Sequence, residues 1–132
     1  MIKPNQTDLR ILLLADAGTC LGMGLALTIG SDPIATLTAI PAALLFYAGL
    51  SLFPIAAFMA AVSGRTAQWP WAAWLVAAGN VAWTGVSCLL LLGSWVQPNA
   101  FGLAFIAGQA LVVAILAALE YGASSRSAAT YA

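Results

Sequence analysis

Four stretches of the chain are apolar almost throughout, and short polar clusters separate them. The first covers Ile11 to Ile29 and contains one charged residue, Asp16; the cluster Gly30-Ser31-Asp32-Pro33 closes it with a dense turn signal. The second runs from Ile34 to Val62 and carries Pro41 and Pro54. As a straight helix it would be roughly 43 Å long, more than the ~30 Å hydrocarbon core of a bilayer. It must therefore tilt, kink, or begin as a short interfacial segment before Pro41. The third runs from about Trp71 to Val96, ahead of Gln97-Pro98-Asn99, and the fourth from about Ala100 to Tyr121. Residues 122–132, with Ser124, Ser125, Arg126 and Ser127, read as a polar tail. Each stretch meets the ~20 residues that a membrane-spanning helix needs, and none shows the alternation of a barrel strand.

The pattern predicts an all-α membrane protein: one transmembrane domain over 1–132, folded as an up-down-up-down bundle of four helices joined by short loops. Composition agrees. Of 132 residues 63% are hydrophobic and 6% are charged, where a soluble domain carries about 25% charged residues. The mean hydropathy is +1.00. Eight charges cannot cover a soluble surface, so soluble enzymes, nucleic-acid binders and disordered chains are excluded. The lack of histidine removes His-ligated haem, His-containing zinc sites and His-based acid–base schemes. Lys3, Arg10, Arg65 and Arg126 all fall in the segments that such a bundle places on one side, and the first and third loops carry no basic residue. The positive-inside rule then puts both termini in the cytoplasm. Trp69, Trp71 and Trp74 fit an aromatic belt on that side and Trp95 one on the other.

Polar residues inside such helices are costly, which makes them the candidate chemistry. Measured along each helix from its expected cytoplasmic end, Asp16 lies roughly 9 Å deep and Asn80 roughly 13–14 Å. Gln109 and Ser51 fall near 18 Å and Thr84 near 20 Å, all approximate depths on the same ruler. These five residues form the candidate intramembrane polar site. They compose either a pocket or proton-handling centre around Asp16, Asn80 and Gln109, or a set of interhelical hydrogen bonds that only hold the bundle together. Glu120 is expected in the headgroup zone near Arg10 or Arg65, so no pair of carboxylates is expected inside the membrane. Cys20 and Cys88 differ in depth by ~10 Å, too far for a disulfide, and read as small packing residues. Gly18, Gly22 and Ala26 form a small-xxx-small stripe suited to close helix contacts within the bundle or between protomers. Trp83, deep in the third helix, needs a partner for its indole N–H, for which a threonine or a freed carbonyl is expected.

Four spans in little more than 100 residues, with a carboxylate in the first, resemble the architecture of the small multidrug resistance transporters. That family uses a membrane-embedded Glu in its first helix, where this chain has Asp16. The segments LLADAGTC, AGLSLFPIAAFMA, GNVAW and QPNAFGLAFIAGQALVVAILAALEY resemble a group of small, uncharacterised four-span bacterial inner-membrane proteins. That resemblance covers nearly the whole chain. It implies a bacterial inner membrane and brings no activity or site residues.

The expectation that follows is a non-catalytic accessory or assembly subunit, associating with itself or with a larger membrane complex in the bilayer, without cofactor, metal or nucleic acid. The alternative is a homo-oligomeric small transporter or a lipophilic-ligand-binding protein built around Asp16. Catalysis needs a positioned acid, base, nucleophile or metal, and the membrane offers only Asp16, two thiols and a few hydroxyls such as that of Tyr47. A non-enzymatic role is therefore expected.

Overall fold

The computed structural model describes residues 4–131 of the chain, with side chains over 7–129. Lys3, part of the charge asymmetry, lies outside the described residues. Five helices follow in order: α1 (Pro4–Ile29), α2 (Ser31–Thr38), α3 (Ala42–Ser63), α4 (Pro70–Leu92) and α5 (Ala100–Tyr131). The four longer ones are apolar and long enough to cross a membrane, which fits a small multi-pass membrane protein.

The bounds differ from the sequence expectation at both ends of the bundle. The apolar run 34–62 is not one helix. Of the three options open to it, it takes the short leading segment: α2 ends at Ala39, which turns left-handed (φ 57°), and Pro41 then caps α3. Proline lacks the donor a continuing helix needs and forces the residue before it into an extended conformation. The third run stops at Leu92, because Gly93 turns extended (ψ 172°). The largest departure is α5. Its helix passes through the stretch expected as a tail, since residues 122–131 hold no proline and are rich in alanine, the best helix former. Likewise α1 starts at Pro4, a residue suited to a helix's first turn.

Apolar packing divides into two clusters. Leu9, Leu13, Met59, Val62, Ala73 and Ala123 centre the first; Leu27, Ile40, Leu45, Leu52, Val96 and Ile106 form the second. α1 packs most extensively on α3, and α4 on α5; α1 and α5 join the two pairs, while α3 and α4 barely touch. Backbone meets backbone where α1 crosses α3. At Gly49 an added Cβ would lie 2.8 Å from Leu27 Cβ and 2.8 Å from Thr28 Oγ1, so only glycine fits there. Gly18 and Gly22 are not part of this contact. They have open space around them, so the stripe they begin faces outward instead of packing within the chain. Beyond the second cluster, Asn99 ties α2 to α5: its N–H donates to Thr38 O (3.0 Å), its amide to Leu37 O (2.8 Å), and its Oδ1 accepts from Gly102 N–H as a helix cap (3.0 Å).

Candidate functional site

The polar layer lies between the two apolar clusters. Asp16 of α1 and Asn80 of α4 face each other, and Asn80 Nδ2 donates to Asp16 Oδ2 at 2.6 Å. The same nitrogen donates to Glu120 Oε2 of α5 at 2.9 Å. An amide nitrogen has two hydrogens, and here each serves a different carboxyl. The two carboxyls are thus held against the same nitrogen. Asp16 is 1% exposed, Asn80 6% and Glu120 0%. Cys20, one turn along α1, points its thiol at Asp16 Oδ1 (3.7 Å).

Glu120 thus corrects the sequence reading twice. It is fully buried inside the bundle, and it completes the carboxyl pair that was not expected. The cause is the length of α5. Measured from Tyr121, Glu120 falls at the surface; measured from Tyr131, it lies about 16 Å in, comparable with about 15 Å for Asn80 from Pro70 and about 18 Å for Asp16 from Pro4. The absence of proline after Tyr121 was the available signal, with Gly122 alone pointing to an end there.

A second polar group is stacked beside the first. Gln109 Oε1 accepts from Trp83 Nε1 (2.8 Å), and Gln109 Nε2 donates to Ser87 Oγ (2.9 Å) and to Ile106 O (3.2 Å). The indole of Trp83 therefore finds neither a threonine nor a freed carbonyl; a glutamine amide serves it. Of the remaining candidates, Thr84 donates to Asn80 O (2.9 Å), bracing the backbone behind the amide. Ser51 is exposed and donates to Ala48 O (2.7 Å), so it stands apart from the layer. Cys20 and Cys88 are free thiols, the first half-buried and the second exposed.

Both polar groups reach one cavity of about 530 Å³. All four long helices wall it: Asp16 and Met23 from α1, Phe58 and Met59 from α3, Asn80 and Trp83 from α4, Gln109 from α5. Two of its walls, α3 and α4, barely touch each other, and the lining side chains of Ile55 on α3 and Leu75 on α4 are exposed, as is Val112 on α5. Asp16 lines this cleft, and Glu120 is set behind it. Among the described residues no group of three or more Cys, Asp or Glu side chains is placed to hold a metal ion. Comparison with protein-family models, curated proteins and solved structures gave no match, so the chemistry rests on the residues themselves. What they compose is an acid pair bridged by one amide, facing an apolar, aromatic and methionine-lined cleft.

Proposed function

We propose that the chain binds a lipophilic cation in the cleft between α3 and α4 and exchanges it for a proton shared by Asp16 and Glu120, as a small non-enzymatic transporter or ligand-binding protein. The observation that carries this reading is the shared Asn80 amide. It holds two buried carboxyls against one nitrogen, where two like charges would repel, and the reading gives the pair one proton and one negative charge between them. The charge faces the cleft through Asp16. Trp83 and Phe58 supply aromatic faces for a cation, and Met23 and Met59 adaptable apolar contact.

An inner-membrane location with both termini in the cytoplasm accompanies this reading. Leu9, Thr66 and Ser127 surround one small cavity, which supports grouping their neighbours Arg10, Arg65 and Arg126 at one end of an up-down-up-down bundle. The test is binding of radiolabelled tetraphenylphosphonium to protein in lipid nanodiscs. Asp16→Asn should weaken binding at least tenfold while leaving the thermal transition in place. Equal binding by wild type and Asp16→Asn refutes the reading.

A second reading, self-association or an accessory role in a larger complex, is favoured by the outward face of α1. Gly18, Gly22 and Ala26 are exposed there with nothing packed on the two glycines. Gly22→Leu should dissociate an oligomer in mild detergent if that face is the contact; an unchanged mass by light scattering removes this reading.

A further inference from the structure

Hydroxyls in these helices follow one habit. Thr19, Thr28, Thr36, Thr38, Thr84 and Ser87 each donate to the carbonyl four residues back, and Ser51 and Ser63 to the one three back. Ser124 and Ser127 break it. Both Oγ atoms are buried without a hydrogen-bond partner, and so is Glu120 Oε1. Positions 120, 124 and 127 share one face of α5, spanning about 10 Å along its axis. Between them Ala123 is fully buried, so this face is turned inward.

Buried polar atoms are ordinarily satisfied by protein or by ordered water. Here space for water adjoins the two serines, one turn of α5 beyond Glu120. A cavity of about 30 Å³ touches Ser124 and Ser127 on α5, Leu9 on α1, Thr66 in the turn before α4 and Pro70 at the start of α4. That is more than the roughly 10–15 Å³ a single water needs, and three hydroxyls supply the two to four polar partners it requires. The groups facing Glu120 are Asp16 and Cys20 from α1 and the neutral Asn80 from α4.

We infer that Glu120 Oε1, Ser124 Oγ and Ser127 Oγ hold a short file of water that carries protons between the carboxyl pair and the aqueous surface at the 64–69 turn. A hydronium ion at the turn gives its proton to the first water. Each water or hydroxyl accepts one proton on a lone pair and releases another, and the last lands on Glu120 Oε1 as the proton Glu120 already holds passes to the ionised carboxylate of Asp16. One bulk water is left behind, and nothing is oxidised or reduced. The file deepens the proposed site and takes its purpose from it: ligand enters by the cleft on the Asp16 side, protons by the serine face on the Glu120 side. The rival arrangement is rotation of each serine onto the carbonyl of Glu120 or Ala123, which would need no water.

Infrared spectroscopy of the whole protein in nanodiscs distinguishes the two. The protonated carboxyl band, assigned by its change in Glu120→Gln, should shift promptly when the buffer is exchanged for D2O. Ser124→Val, which blocks the file, and the double variant Ser124→Ala/Ser127→Ala, which removes its oxygens without adding bulk, should each slow that shift at least tenfold. Both should bind tetraphenylphosphonium as wild type does. Exchange as fast as wild type in both variants overturns the file, as does a carboxyl band that Glu120→Gln leaves unchanged. Loss of the Asp16 effect on cation binding would instead overturn the ligand reading, with the exchange result standing on its own.

Discussion

Asn80 connects three helices through one nitrogen, and its removal should cost more than the loss of an ordinary membrane hydrogen bond. Typical interhelical bonds contribute about 0.6–2 kcal/mol. Asn80→Ala strips the shared donor from two buried carboxyls at once, and we expect a loss on the order of 3 kcal/mol, as for breaking a buried polar pair. Ser51→Ala, exposed and bonded only to its own helix, should change stability by less than about 0.5 kcal/mol. Unfolding by steric trapping in bicelles measures both. At this scale the sequence was informative where cost was visible: Asp16 and Asn80 stand out because each is polar within an apolar run. Ser51 stood out equally, yet a hydroxyl can satisfy itself on its own backbone and so betrays nothing about its neighbours. Glu120 was hidden by a misplaced boundary, since polarity after Tyr121 suggested a tail where helix propensity continued the helix.

Among elements, the sharpest contrast is between two kinds of glycine. The stripe Gly18–Gly22–Ala26 has the spacing associated with tight helix pairs, but the close approach within the chain is made by Gly24 on α1 and Gly49 on α3. At Gly24 an added Cβ would lie 3.1 Å from Gly49 O. Gly49→Ala should therefore force the two helices apart and destabilise the fold by about 1–3 kcal/mol. Gly18→Ala meets open space and should be neutral or slightly stabilising through helix propensity. Thermal denaturation of the two variants side by side decides it. Spacing alone could not separate them, because a periodic stripe records which residues share a face and not which face meets a neighbour. The break between α2 and α3 was more legible: a run too long for the bilayer, with Pro41 near its start, admitted few solutions.

At the scale of the whole molecule, reporters fused to the N- and C-termini should both read cytoplasmic, and moving Arg65 from the 64–69 turn into the 93–99 segment should weaken that bias. Alkaline phosphatase and fluorescent-protein fusions provide the measurement. The four long helices were evident from the apolar runs, whereas the unequal packing that leaves α3 and α4 apart was not, because it depends on which pairs close tightly. That gap has a consequence for how any occupant is encountered. If the proposed ligand site opens there, between the exposed Ile55 and Leu75, it would take its ligand from the hydrocarbon phase and not from water. Occupancy is then governed by the mole fraction of ligand dissolved in the bilayer. The same protein reconstituted with more lipid, at fixed total ligand, should show a weaker apparent affinity although no residue in the site has changed.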